Sequence, residues 1–465
     1  MASSQRPHPV YILYDAKRWL PLLLIPVMRI LFSPLDALNI LVASLRDVGI
    51  TLLLVGISFL RWFNTEYCFH QGLWMKQGIF FKRVMRVRDD DAASIEQECS
   101  PLMWLTRSRR IRINTAGLRS RADATLYLGV KRAARLMYRS SGSGQYYARP
   151  ILVSIMAASS SNAAIGLLTI APTFRQASRI AGERLTNDVY NLAGRLLQWG
   201  LPPFLEGIAN ILVLGWAYSF IRSLFRYGRF KAERRGENIH LVSGILTQRD
   251  VQIDFHKITA LEFRQTLFMR LFRLHTATVN AAGYGREKGT RPVIIPAAHL
   301  KEMCAALDRL LPDYPLCESR LRPMRRSLSR YILPPFWVVV ASVAIISLFT
   351  QITTMVALAV IGFGVWWFII RLLAYFSAGF GVSRDAITMR YSRGLALYEV
   401  HIPIEVADCA VITQSPWQVR SGSCTVEIRC YGEKRRRHKV LALPYLQARA
   451  LVEKLNHYAN TQEYE

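Results

Sequence analysis

A chain of 465 residues with a formal charge of +28 and 51% hydrophobic residues is too long for one small domain and too apolar for an ordinary soluble basic protein. Mean hydropathy is positive, +0.16, so apolar residues and cations must be segregated along the chain. Seven cysteines, Cys68, Cys99, Cys304, Cys317, Cys409, Cys424 and Cys430, form no CxxC; that pattern fits reduced cytosolic thiols and argues against a disulfide framework.

In chain order, the first apolar blocks are residues 19–32 and 49–63. Each falls a little short of the ~17–25 residues that cross a hydrocarbon layer, so flanking residues must contribute. Arg29 interrupts the first, and an arginine near a helix end can reach the interface. The N-terminal segment, with Arg6, Lys17 and Arg18, has no small-residue cleavage site after its apolar run and reads as a retained anchor. Three further apolar stretches follow, 151–172, 189–204 and 208–225. If the flanking regions share one side of a membrane, an even number must cross. The first contains SSSN and is followed by an amphipathic segment, so it is read as interfacial or re-entrant; the other two are read as a hairpin with Glu206 in its turn. Residues 334–350 and 353–373 form the clearest hairpin, with Arg371 as its only charge.

Between these blocks lies one pattern used three times, the kind of self-similarity that has to be settled first. Residues 78–117 and 244–283 align without a gap. Gly78/Gly244, Ile79/Ile245, Arg83/Arg249, Met103/Met269, Leu105/Leu271, Asn114/Asn280, Ala116/Ala282 and Gly117/Gly283 coincide. A weaker third copy ends at Gly432: Val400 matches Val251, and Gln414-Ser415-Pro416 matches Gln265-Thr266-Leu267 and Cys99-Ser100-Pro101. Its opening Gly394 lies one residue too close, which implies a single deletion. Val251, Ile253 and Phe255 alternate with polar residues, as do Thr276, Thr278 and Asn280 with apolar ones; period-2 alternation marks half-buried strands. The strips 101–105 and 266–271 open on turns and either expose apolar side chains for protein contact or pack the core; core packing is the default reading, since the two copies keep apolar residues at matching positions. Each copy closes with a basic loop and one amphipathic helix. In copy two the helix lies beyond Pro296, with Leu300, Met303, Leu307, Leu310 and Leu311 on one stripe. In copy three it lies beyond Pro444, with Leu446, Ala450, Leu451 and Leu455; in copy one it covers 126–137.

Paired spans alternating with GIL…R…VNAAG modules resemble the bacterial membrane-flanked PH-like domain family, over essentially the whole chain. The third copy departs from the pattern at Glu399, where the others have arginine. The expected fold class is membrane α + β: three PH-like β-sandwich or barrel modules, each with a C-terminal helix, alternating with transmembrane helical hairpins. The expected divisions are a hairpin at 1–63, module one at 64–150, an amphipathic segment at 151–187 and a hairpin at 188–226. Module two at 227–315, a basic linker at 316–331, a hairpin at 332–374 and module three at 375–465 complete them. The resemblance implies no enzyme activity and brings no catalytic, cofactor-binding or metal-binding residues. It implies a role in envelope maintenance or resistance to membrane-active peptides, and a smaller PH-like membrane protein as companion.

Lysine and arginine near the spans set orientation. Arg222, Arg226, Arg229, Lys231, Arg234 and Arg235 follow the middle hairpin, and Arg320, Arg322, Arg325, Arg326 and Arg330 precede the last. The interhelical turns are poor in positive charge. Modules and both termini are therefore expected to face the cytoplasm of a bacterial cell membrane. The recurring functional feature is basic loops. Arg107, Arg109, Arg110, Arg119 and Arg121 belong to copy one; Arg286, Lys288 and Arg291 to copy two; Lys434, Arg435, Arg436, Arg437 and Lys439 to copy three. Juxtamembrane cations favour an anionic phospholipid surface by ~1 kcal/mol each. The competing reading is positive-inside bias alone. Nucleic acid could bind the same charge, but the loops lack interleaved aromatics. The carboxylate run Asp89-Asp90-Asp91 has no counterpart in copy two and reads as a solvated turn, and His299 and His401 have no partner at ligand spacing. Two alternatives stand beside lipid contact: protein–protein assembly through the modules, and a transporter using the helices. The second is disfavoured by spans with few ionisable groups.

Overall fold

The computed structural model describes residues 4–16, 37–69, 72–88, 91–115, 124–136, 144–160, 203–281, 293–312, 314–319, 321–348, 354–393, 396–430 and 436–462. Helices α1 (Val10–Ala16) and α2 (Ala37–Phe63) lead into module one. There β1 (Glu66–Phe69), β2 (Leu73–Gln77) and β3 (Arg83–Val87) form an antiparallel meander. β4 (Ala92–Cys99), the one-turn helix α3 (Pro101–Leu105), β5 (Ser108–Thr115), β6 (Ala124–Gly129) and α4 (Val130–Leu136) complete it. The helix expected over 126–137 is thus half strand. Leu126 and Leu128 point to the core, and the segment pairs with β5, Leu128 opposite Arg109.

β7 (Gly144–Tyr147) and α5 (Pro150–Ser160) follow, then α6 (Pro203–Tyr227). Helix α6 runs unbroken through Glu206, so that residue lies in a helix and not in a turn; Pro203 opens the helix where a missing N–H costs nothing. Among the described residues it is α5, from the first apolar stretch, that packs on α6: Trp216 Nε1 donates to the Ala158 carbonyl at 3.1 Å. The second stretch, 189–204, lies almost wholly outside the described residues. Module two then repeats the plan: β8 (Lys231–Arg235), β9 (Asn238–Ser243), β10 (Gln248–Asp254), β11 (Ile258–Thr266), α7 (Leu267–Leu271), β12 (Leu274–Ala281), β13 (Val293–His299) and α8 (Leu300–Leu310).

Helices α9 (Ser329–Leu348) and α10 (Thr354–Ser377) form an adjacent pair. Stretches Arg325–Ala344 and Val360–Ser377 are the two, among the described residues, long and apolar enough to cross a membrane. Phe336, Trp337, Val340, Phe363, Val365 and Ile369 are all exposed on them, whereas a core helix would bury such residues. At Gly364 a Cβ would stand 2.0 Å from Val339 Cγ2, the close backbone approach that membrane helix pairs build on small residues. Module three comprises β14 (Gly379–Val382), β15 (Ala386–Arg393), β16 (Ala396–Pro403), β17 (Ala407–Thr413), α11 (Pro416–Arg420), β18 (Ser423–Cys430), β19 (Arg436–Pro444) and α12 (Tyr445–Gln462).

Each module is two three-stranded half-sheets packed face to face. In module one Tyr67, Leu73, Met75 and Val87 meet Ile111, Ile113, Leu126, Leu128 and Ala133. Module two packs Ile239, Leu241, Val251 and Ile253 against Val279, Ile294, Ile295, Met303 and Leu307. In module three Cys424 and Cys430 are fully buried beside Val426 and Ile428. The half-sheets do not stop at module borders. β4 pairs β10 to give the sheet β6-β5-β4-β10-β9-β8-β7, and β11 pairs β16 to give β13-β12-β11-β16-β15-β14. The three modules are therefore zipped edge to edge.

The second junction carries further ties. Phe263 and His401 rings stand edge on at 5.3 Å, and the Tyr314 hydroxyl donates to the His401 carbonyl at 3.1 Å. Burial lowers the His401 imidazole to about 4, with Glu399 opposing the shift, so His401 is neutral in the folded chain at pH 7.

Candidate membrane-facing surface

The strip expected to pack in the core does something else in all three copies. Ser100 accepts the Met103 N–H at 3.3 Å, and Thr266 accepts the Met269 N–H at 3.3 Å. Ser415 forms a capping box with Gln418. An N-cap followed by proline or leucine starts one helical turn. Only one residue of that turn faces inward: Met103, Met269 and Gln418 are buried. The turn is then broken by a residue in the left-handed region, Arg107 (φ 49°), Arg273 (φ 52°) and Gly422 (φ 62°). Two copies place a non-glycine side chain there, at a cost of roughly 1–3 kcal/mol. A single turn has one buried face, so its other side chains face out. Leu102, Trp104, Leu105, Phe268, Leu271, Phe272, Trp417 and Val419 are exposed, with Trp104 at 73%, Leu271 at 76% and Trp417 at 73%.

Each of these short helices packs on a neighbouring helix, in module three on the long α9. Met269 of α7 packs with Leu152, Val153 and Met156 of α5. Arg330, at the start of α9, donates to the Ser415 hydroxyl at 3.2 Å. In module one Met103 packs with Val10 and Tyr127, and Tyr14 hydrogen-bonds Ser100. A second apolar tip joins them. The β2–β3 turn exposes Phe80 and Phe81 almost completely, and the matching β9–β10 turn exposes Ile245 and Leu246. The latter turn is tied to the end of α6, since the Ile245 N–H donates to the Phe225 carbonyl at 2.9 Å. Gly78 and Gly244 open these turns at φ 127° and 103°, where a Cβ would stand 2.0–2.1 Å from a backbone carbonyl oxygen; this explains the glycine that begins the repeat.

Beside Trp104 and Leu105 lies a cleft of about 950 Å³, lined further by Arg6, Pro7, His8, Pro9, Arg107, Arg109, Gly129, Val130, Lys131 and Arg132. Among the described residues five cations face it and no carboxylate does. The Arg6 guanidinium rests over the Phe63 ring at 4.0 Å. Arg109 contacts Cys99 Sγ and the Ser108 carbonyl, and Arg132 donates to the Tyr67 hydroxyl at 3.3 Å. Among the described residues each of these guanidinium groups is held by an uncharged partner. Burial lowers the His8 imidazole, so the charge of the cleft is carried by arginine and lysine. A concave, cationic site with an indole and an isobutyl group at its lip suits an anionic headgroup whose acyl chains stay with the apolar side chains.

Of the basic residues singled out in the sequence, Arg107 and Arg109 come together here. Arg110 does not: it pairs with Glu98, which also receives Arg112 at 3.2 Å, and its side chain is mostly buried in the β4–β5 sheet. In module three, Arg437 and Lys439 lie on β19 around Glu427, Lys439 at 2.8 Å and Arg437 at 3.9 Å, with Arg429 at 2.8 Å. The hydrogen bond from Lys439, with help from Arg429, holds the Glu427 carboxyl below the ordinary range. Arg436 pairs through its backbone with Cys430. Arg119, Arg121, Arg286, Lys288, Arg291, Lys434 and Arg435 lie outside the described residues, as do Asp89 and Asp90; Asp91 pairs with Arg88 at 3.4 Å. Sequence reasoning missed Lys131 and Arg132 as site residues, and Arg6 entered it only as an orientation signal. The available clue was Trp104 within a capped one-turn helix, which has no second face to bury it.

The profile of the bacterial PH domain family matches three times, over residues 20–142, 188–311 and 332–459. The chain belongs to that family. One stretch of 124 residues is also 29% identical to the UPF0699 transmembrane protein YdbT of Bacillus subtilis (strain 168). The similarity spans 26% of this chain and 25% of that protein. With the two apolar helices, this makes the chain a membrane protein bearing bacterial PH modules.

Proposed function

We propose that this protein is a non-enzymatic membrane scaffold whose three bacterial PH modules lie on the cytoplasmic face and contact anionic phospholipid. The observation that carries the reading is the module-one cleft: among the described residues, five cations without a carboxylate, opening beside exposed Trp104 and Leu105. The modules hang between helical hairpins. Arg222 and Arg226 near the end of α6, and Arg325, Arg326 and Arg330 at the start of α9, favour the cytoplasmic side. In this reading the apolar tips enter the interface and the cleft holds a headgroup, a shape suited to envelope maintenance or resistance to membrane-active peptides. A smaller PH-like membrane protein is the proposed companion.

The test is lipid retention by the full chain purified in mild detergent from membranes containing phosphatidylglycerol and phosphatidylethanolamine. The wild type is expected to retain phosphatidylglycerol selectively, and a variant with Arg107, Arg109 and Lys131 replaced by alanine to lose that selectivity. Equal retention by both chains would reject the cleft as a headgroup site.

A further inference from the structure

Two half-sheets are left over at the ends of the array. Among the described residues, β3 pairs only with β2 and β17 only with β18. Yet β3 is the counterpart of β10 and β16, and β17 of β4 and β11, the strands that zip the modules together. Both internal junctions use one register. Counting back from the caps Ser100 and Thr266, Gln97 stands opposite Asp250 where Phe263 stands opposite Glu399, and Glu96 opposite Val251 where Glu262 stands opposite Val400. Even the bulge recurs, between Ala92 and Ser94, Ile258 and Ala260, and Ala407 and Cys409.

We infer that the chain assembles head to tail with further copies of itself, the β3 edge of one copy adding to the β17 edge of the next. Carrying the internal register over places Val84 opposite Ile412, Met85 opposite Val411 and Arg86 opposite Ala410. The joined sheet has six strands, as the complete sheet between modules two and three does. The chemistry of the edges favours this partner. β17 reads ADCAVIT, with Asp408 its one charge and a run of half-buried apolar residues, and it lacks the lysine, arginine or proline that protects a free edge. β3 carries Arg83 and Arg86, both exposed. Two β3 edges would oppose like charges, whereas β3 against β17 does not. A junction between unlike edges is heterologous, so it generates rings or filaments and not closed two-fold dimers. Because each module sits at the root of membrane-proximal helices, the array would extend along the membrane.

The experiment uses two full-length chains with different tags, co-expressed in one membrane, one carrying V84C and the other I412C, both with Cys409→Ser. A short bifunctional maleimide is added to the membranes. The expected result is a cross-linked pair containing both tags, at several-fold higher yield than V84C gives with T413C. Val84 is exposed, whereas Ile412 is half-buried and packs against the module-three core, so each variant is first checked for an unchanged thermal midpoint. As an independent arm, the wild-type chain in nanodiscs is expected to have a mass of two or more chains, and Ile412→Lys the mass of one. Cross-links confined to I412C with I412C, or a wild-type mass of a single chain, would overturn the proposal.

Discussion

Modules one and three carry comparable runs of basic residues, yet they present them in opposite ways. In module three a buried carboxylate, Glu427, gathers Arg429, Arg437 and Lys439, so one of these three positive charges is offset within the sheet. In module one Arg6, Arg107, Arg109, Lys131 and Arg132 converge on a cleft with no acid among the described residues. The densest basic stretch of the sequence is therefore not the one with the most available charge among the described residues. Cross-strand geometry decides, because residues directly opposite on adjacent strands meet at about 5 Å whatever their separation in sequence.

The comparison breaks most plainly if charge in the two modules is removed separately. Replacing Arg107, Arg109 and Lys131 by alanine should weaken phosphatidylglycerol retention on the order of 100-fold, at ~1 kcal/mol for each cation near an anionic surface, measured by lipid exchange on the full chain. The buried histidine of module three gives the next effect. His401 is lowered to about 4, below its unfolded value, so its contribution to stability is full above about pH 6.5 and is lost as pH falls toward 4. Between pH 6.5 and pH 5 the loss is about 2 kcal/mol. Thermal unfolding of the chain in detergent should show this acid sensitivity, and His401→Gln should flatten it.

Smaller effects sharpen the contrast. Trp104→Ser should lower lipid retention several-fold while changing stability by less than about 0.5 kcal/mol, as an exposed side chain does; differential scanning calorimetry and lipid exchange together check both halves. Replacing Arg437 and Lys439 by alanine should change retention by less than ~3-fold, because both are drawn to Glu427 on the sheet and lie outside the module-one cleft. Glu427→Gln should instead raise retention modestly by releasing them.

Much of the architecture was legible in the sequence. The repeat spacing located three modules, the alternation of Val251 and Ile253 located β10, and the stripe from Leu300 to Leu310 located α8. What stayed hidden depended on partners far along the chain. That β4 pairs with a strand of the next module leaves no mark on its own period-2 pattern, which is the same whether a strand's neighbour is near or remote. Residues 126–128 read as helix because Leu126, Tyr127 and Leu128 form an apolar run, and a short continuous apolar run does not distinguish strand from helix. The strips at 101–105 and 266–271 read as core because matched apolar residues usually are. Here one turn of helix can bury only Met103 or Met269, and the rest stays outside. Arg110 looked available because Glu98, its partner, belongs to the neighbouring strand. The site itself was half legible: Arg107 and Arg109 were in the sequence reading, but Arg6, Lys131 and Arg132 come from segments that only the fold brings beside them.

Lipid selectivity of the intact chain tests the central claim most directly. Native mass spectrometry of the wild type released from mixed phosphatidylglycerol–phosphatidylethanolamine nanodiscs should show phosphatidylglycerol bound in preference, with the preference abolished by R107A/R109A/K131A and kept by R437A/K439A. Equal loss in both variants, or no preference in the wild type, would contradict it.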